Sequence, residues 1–362
     1  MTIEWRTPAL LALGCSEARA ADLAPLVARG LQPARVVAQH RSYYVVSDGA
    51  RDRRAVLRGA LRAGLDATPD LPAVGDWVAI RATSAPAIIE VLLSRSSAFV
   101  RQRAGVAIAS QVVAANIDLA LIATAVVGDL NPRRLERYVT IAWESGAVPL
   151  VLLTKADLVT ADELAQARSM LSAAAPGIDV LPVSTRTGEG LDALGRRLLP
   201  ACTAVLVGSS GVGKSSLVNT LLGGERLATA SVRADGRGRH TTTHRELVRL
   251  ESGALLIDTP GMRELQLWSD GDGLAASFAD IDALAVDCRF GDCAHGREPG
   301  CAVRAAIASG SLESDRLESY FKLRREIERH ARLNDPRAAA EANRRLRAMH
   351  RAQYAMPDKR DP

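Results

Sequence analysis

The segment Ala204–Leu222 reads AVLVGSSGVGKSSLVNTLL. Its first four residues, Ala204 to Val207, are apolar and predict a buried strand. Gly208-Ser209-Ser210-Gly211-Val212-Gly213-Lys214-Ser215 then fits the pattern G-x-x-x-x-G-K-[ST], and Ser216 leads into Leu217, Val218, Leu221 and Leu222 at helical spacing. Strand, glycine-rich loop and helix start fall in the order that a phosphate-binding loop requires. Glycines let the backbone curl so that successive N–H groups face one anion. The helix N-terminus adds its positive end. Lys214 is placed to reach terminal phosphates, and the Ser215 hydroxyl suits Mg²⁺.

The surrounding chain of 362 residues is 48% hydrophobic and carries a formal charge of +5. That length predicts two or three domains, and the wealth of Ala, Val and Leu suits α/β layers. No apolar run is long enough to span a membrane. The start lacks a basic segment followed by an apolar block, so a cytoplasmic protein without structural disulfides is expected. Positive charge is concentrated in two places. Residues 322–362 hold 12 Lys+Arg against 6 Asp+Glu, and residues 35–103 hold 11 against 6. Two basic regions around a more acidic middle suggest a polyanion partner.

Residues 1–30 predict an extension with a helix near Glu17–Arg29, packed on the next domain. Residues 31–103 contain five short apolar runs separated by turn residues: 34–39, 42–47, 54–58, 74–80 and 87–92. Close spacing of this kind predicts a small OB-type barrel. Residues 104–270 alternate strands and helices, which predicts a parallel sheet with crossover helices. The strands are 116–123, 148–153, 179–183 and 204–207, with 254–257 after the loop. Asn131 and Pro132 predict a helix start, and a second helix is expected over 161–174.

Strand 148–153 ends in Thr154-Lys155-Ala156-Asp157, the form [NT]-K-x-D. A carboxylate there accepts from both N1–H and the 2-amino group of guanine, a donor pair adenine lacks. Ser184, at the end of the following strand, fits a second base-contacting loop. Downstream, Asp258-Thr259-Pro260-Gly261 follows strand 254–257. Asp258 suits Mg²⁺ through water, and the Gly261 N–H suits a γ-phosphate sensor. The base motifs therefore precede the phosphate loop, whereas common GTPases run phosphate loop, DxxG, base motifs. The same sheet is expected in circularly permuted order, which close termini tolerate.

Cys288-x4-Cys293-x-His295-x5-Cys301 places three thiols and an imidazole within fourteen residues. This matches a closed Cys₃His structural Zn²⁺ site. Residues 271–335 are expected to form that zinc-binding domain with a helical arm, and 336–362 a basic helical tail. Cys202 is expected in the core.

Together these motifs make the chain resemble the circularly permuted ribosome-associated GTPase family RsgA (YjeQ/EngC). The resemblance rests on residues 154–157, 208–215, Gly238-Arg-His-Thr-Thr-Thr243, 258–261 and the Cys/His set, and covers roughly residues 31–330. It implies GTP hydrolysis stimulated by the small (30S) ribosomal subunit, contact with rRNA, and late subunit maturation with GTP/GDP and Mg²⁺ bound. A monomer is expected. Met262 stands where many GTPases place a water-orienting Gln; the resemblance makes His240 the replacement, presented by a loop in which Thr241 or Thr242 is expected to complete the Mg²⁺ shell and close on the γ-phosphate. Gly211 stands where potassium-activated GTPases carry Asn. The competing expectation is an RNA-binding scaffold whose guanine site turns over slowly.

Overall fold

The computed structural model describes residues 5–59, 71–82, 85–102, 110–224, 245–258 and 272–334. His240, Thr241, Thr242, Gly261, Met262 and the tail 336–362 lie outside these residues.

Two short helices open the chain, α1 (Pro8–Ala12) and α2 (Glu17–Val27). Each begins on a hydroxyl cap, Thr7 accepting from the Leu10 N–H and Ser16 from the Arg19 N–H. Leu10, Ala20 and Leu23 are buried, so the extension is packed as expected. Five strands follow: β1 (Gln32–Gln39), β2 (Tyr44–Ser47), β3 (Asp52–Leu57), β4 (Trp77–Arg81) and β5 (Ala87–Leu92). They close in the order β1-β2-β3-β5-β4-β1, antiparallel except for the parallel β3–β5 pair. This is the expected five-stranded OB-type barrel. Val36, Val46, Ala55, Val78, Ile80 and Ile89 fill its interior.

The run predicted as strand 42–47 starts two residues later, because residues 40–43 form a turn in which the His40 N–H donates to Tyr43 O. A hairpin, β6 (Ala98–Gln102) with β7 (Ser110–Ala115), was not anticipated. Its flanking apolar residues are too few and too interrupted by Arg and Gly to show a period.

The second unit carries β8 (Leu119–Ala125), α3 (Pro132–Glu144), β9 (Val148–Thr154), α4 (Ala161–Ala174), β10 (Val180–Val183), α5 (Leu191–Arg197), β11 (Thr203–Gly208), α6 (Lys214–Leu221), β12 (Arg245–Arg249) and β13 (Leu255–Asp258). Strands β10-β9-β8-β11-β13 are parallel, and β12 pairs antiparallel with β13. Both faces are covered, so the strands are mostly apolar. Ile122, Val151 and Leu153 pack with residues of α3 and α4, while Leu121, Leu150 and Leu206 pack with residues of α5 and α6. Local signals set the helix starts. Asn131 Oδ1 accepts from the Arg134 N–H at 3.0 Å with Pro132 in the first turn. Thr160 and Glu163 form a reciprocal capping box. The strand predicted from Asn116 begins three residues later, because Asn116 has a left-handed φ of 53°.

β12 also pairs with β1, with Ala38 opposite Glu246. Barrel and parallel sheet are therefore one eleven-stranded sheet. Helices α7 (Asp272–Ser277), α8 (Ala279–Ala285), α9 (Ala302–Ala308) and α10 (Ser314–Asn334) complete the described chain. Among the described residues no helix is long and apolar enough to cross a membrane.

Candidate guanine nucleotide site and metal centre

Because β8, β9, β10, β11 and β13 are parallel, their carboxyl ends share one edge, where ligands bind such sheets. Gly208 ends β11 beside Ala123 of β8, and Thr154 ends β9 beside Ala125 of β8 and Val183 of β10. The motifs near 154, 184 and 208 are thereby brought together. Asp258 ends β13, one residue beyond the Val205–Ile257 pair.

Gly208 has φ +140°, and a Cβ there would lie 2.2 Å from Ala123 O. Only glycine lets the loop leave the sheet this closely. Gly211 and Gly213 are left-handed at +80° and +94°, and Gly213 starts α6 without a side-chain cap. The first-turn amides of α6 thus face the loop. Val212 is buried, Ser210 and Ser215 are exposed, and Ser209, Lys214 and Ser216 are half-buried. Lys214 Nζ folds back over the loop, donating to Gly208 O at 2.8 Å and to Ser209 O. The Thr154 hydroxyl is buried and donates to Val212 O at 2.6 Å, with Thr124 O 3.2 Å away. The 154–157 and 208–215 segments are therefore directly joined.

Lys155 takes a left-handed φ of 60°, Ala156 is buried, and a 3₁₀ turn (Ala156–Leu158) carries Asp157. Ser184 is fully buried. Its hydroxyl donates to Asp157 Oδ1 at 2.6 Å and accepts from the Arg186 and Thr187 N–H groups at 3.2 Å each. Arg186 Nε donates to Asp157 Oδ2 at 2.7 Å. The Ser184 hydrogen bond, followed by Arg186, holds the Asp157 carboxyl below the ordinary carboxylate range. Within the expected second base-contacting loop, the Ser184 hydroxyl is spent on the aspartate and on its own loop.

Two further residues escaped the sequence reading. Tyr138 of α3 hydrogen-bonds Ser209 of the phosphate loop, and burial pushes its phenol up. Its apolar ring fits the helix stripe, so only the partner reveals the second role. Arg186 sits in a hydroxyl- and glycine-rich turn where nothing local marks it.

The metal ligand set is assembled as the spacing predicts. The donor atoms of Cys288, Cys293, His295 and Cys301 all lie within 4.8 Å of one another. His295 Nδ1 is 3.7 Å from Cys288 Sγ and 3.6 Å from Cys301 Sγ, and those two sulfurs are 3.9 Å apart. A tetrahedron with metal–sulfur bonds of about 2.3 Å has edges of about 3.8 Å. His295 reaches its place through a left-handed φ of 58°.

Several of the barrel's basic residues have protein partners. Arg35 is fully buried, Arg95 pairs with buried Asp76 at 2.7 Å, and Arg58 and Arg81 both pair with Glu90. Arg35 and Arg95 are therefore largely internal, while Arg58 and Arg81 stay exposed. Cys202, expected in the core, is half-buried, with its thiol pushed up to about 11 chiefly by burial.

A family model described as RsgA GTPase matches residues 92–268. The small ribosomal subunit biogenesis GTPase RsgA of Streptomyces coelicolor is 46% identical over 340 residues, covering 92% of this chain and 90% of its own. Its counterpart in Opitutus terrae is 42% identical and covers 96% of this chain and 97% of its own. The crystal structure of YjeQ from Thermotoga maritima aligns with a TM-score of 0.60 at 24% identity, over 81% of this chain and 97% of that one. YloQ, a circularly permuted GTPase, aligns with a TM-score of 0.59 at 24% identity, over 82% and 95%. These two agree in fold with the permuted sheet described above. The chain belongs to the RsgA GTPase family.

Proposed function

We propose that this GTPase acts in late maturation of the small ribosomal subunit, that it binds rRNA, and that contact with the subunit stimulates GTP hydrolysis, which gates release. The observation that carries the reading is the convergence of the 154–157 and 184 loops on the 208–216 loop at one sheet edge. The relatives named small ribosomal subunit biogenesis GTPases supply the subunit.

In this reading the amides of residues 208–216 cradle the phosphates, and Lys214 swings from Gly208 O to the terminal ones. Asp157 reads the guanine edge, Ser184 orients Asp157, and the Lys155 stem covers the base. Ser215 and Asp258 are the Mg²⁺ partners, and Gly261 senses the γ-phosphate. Mg²⁺ supplies neutralisation of phosphate charge when bound with GTP. His240, with Thr241 and Thr242, is the proposed catalytic group. Cys288, Cys293, His295 and Cys301 are the ligands of one structural Zn²⁺, which fits a closed set of three thiolates and an imidazole. The barrel (31–103), the permuted GTPase domain (104–270) and the zinc-binding domain (271–335) are the proposed units. The working form is a cytoplasmic monomer.

The test is GTP turnover by purified protein alone and with small ribosomal subunits, with Lys214→Ala as the blank. Strong stimulation that disappears in the blank is the expected result. Slow turnover unchanged by subunits overturns the trigger and favours the scaffold reading.

A further inference from the structure

The loop after β10 is closely tied. The Ser184 N–H donates to Glu189 O, the Gly188 N–H to Ser184 O, and the Arg186 and Thr187 N–H groups to the Ser184 hydroxyl. The backbone of Arg186 is thereby fixed, and only its side chain is free to swing. The Asp157 side chain is 7% exposed, while that of Arg186 is 73% exposed. A guanidinium so exposed, on a carboxylate so buried, approaches it from the open side. Ser184 holds Oδ1 from within and Arg186 holds Oδ2 from without.

A guanine edge presents two donors, N1–H and the 2-amino group, and the fork that reads them needs both carboxylate oxygens. Ser184 occupies Oδ1 from the protein side and leaves that oxygen a lone pair for the base. Arg186 stands where the second donor must arrive. We propose that Arg186 is an internal competitor of the base at the guanine site: it occupies Asp157 Oδ2 until a base with two donors displaces it.

This inference rests on the guanine role of Asp157 given above. It sets a threshold that the guanine ligand alone must pass. A base with both donors replaces what Arg186 supplied, whereas a base lacking them leaves the ion pair intact. The threshold is low, because exposed ion pairs are weak.

The test compares GDP and ADP binding by calorimetry to the full chain and to Arg186→Met, which keeps the stem and removes the guanidinium. GDP affinity should rise about two- to fivefold, the size of one exposed ion pair, and ADP affinity should stay unchanged. A second background isolates the carboxylate. Asp157→Asn exchanges an oxygen for an NH₂ donor and suits xanthine, whose C2 carbonyl accepts it. Adding Arg186→Met to that variant should leave xanthosine diphosphate affinity unchanged, because no carboxylate remains for Arg186 to hold. Unchanged or weaker GDP binding in Arg186→Met overturns the proposal alone, as does an equal gain in the Asp157→Asn background. A parent chain that binds GDP no better than ADP overturns the guanine reading and this proposal with it.

Discussion

Arg35 joins three parts of the molecule through one side chain. Its Nη1 donates to Leu13 O at 2.6 Å and Thr203 Oγ1 at 3.0 Å, its Nε to Gly75 O at 2.9 Å, and its Nη2 to Asn116 O at 3.0 Å. Leu13 belongs to the extension, Gly75 to the barrel, Asn116 to the link between β7 and β8, and Thr203 to the parallel sheet. Burial depresses the guanidinium to about 10, with Asp118 the foremost charge opposing that, so it stays cationic at neutral pH. Removing the side chain strands buried acceptors, each costing about 1–3 kcal/mol. Arg35→Met should therefore lower unfolding free energy by at least about 3 kcal/mol. Urea denaturation measures this; a loss under about 1 kcal/mol would show that the acceptors are readily satisfied by other groups. Nothing in the sequence around Arg35 foretold this. It lies within a strand in a basic region and reads as surface charge, because its four partners are 22 to 168 residues away.

At the scale of elements, α3 acts as a bracket. Its buried stripe of Leu135, Val139 and Ala142 was legible from spacing. Its polar positions were not. Tyr138 meets the phosphate loop, Arg137 Nη2 donates to Glu326 Oε1 of α10 at 2.7 Å, and Glu144 Oε1 accepts from the Gly273 N–H at 3.0 Å at the start of α7. Glu136 lies 1% exposed between Arg133 and Arg316. Arg316 further donates to Asp280 Oδ1 at 2.7 Å, Ala174 O at 2.9 Å and Ser277 O at 2.9 Å. Burial raises the Glu136 pKa despite both cations. Arg316→Met leaves that carboxylate with the Ser319 hydroxyl and a single cation, Arg133, and should cost about 3–5 kcal/mol at pH 7.5. The sign with pH follows from the raised value. The folded variant binds a proton more readily than the unfolded chain, so stability rises as pH falls toward the ordinary carboxylate range. The deficit should shrink between pH 7.5 and 5.5, and a deficit that grows on acidification would contradict the Glu136 assignment. Thermal melts of both proteins across that range decide it.

At the scale of the molecule, the units are continuous. β12 bonds to β13 on one side and to β1 of the barrel on the other, and Arg245 Nη1 donates to Gln39 Oε1 at 3.3 Å. The Cys₃His set organises the loops between α8 and α9, where Cys301 also caps α9 by accepting from the Arg304 N–H. Metal removal should release those loops first. Purified protein should carry one zinc per chain. Chelation should lower the melting midpoint and raise amide exchange across residues 286–304, leaving the β8–β11 amides protected. Exchange unchanged by chelation, or the absence of zinc from freshly purified protein, would sink the structural role.

By itself the sequence determined the barrel, the permuted α/β order, the phosphate loop, the base tetrad and the Cys/His ligand set. The individual signals are each written within a few to fourteen consecutive residues, as a two-residue or helical period, a cap, or a ligand spacing, and the barrel and the permuted order follow from their succession along the chain. Tertiary structure alone decided that Arg35 is an internal tie, that Arg186 covers Asp157, that α3 meets both the phosphate loop and α10, and that the hairpin β6–β7 forms. A period shows which face of an element is buried but not what it is buried against. Most of those pairings link groups far apart in the chain, as Arg316 is from Glu136 across 180 residues, and only the folded chain brings them within hydrogen-bond reach.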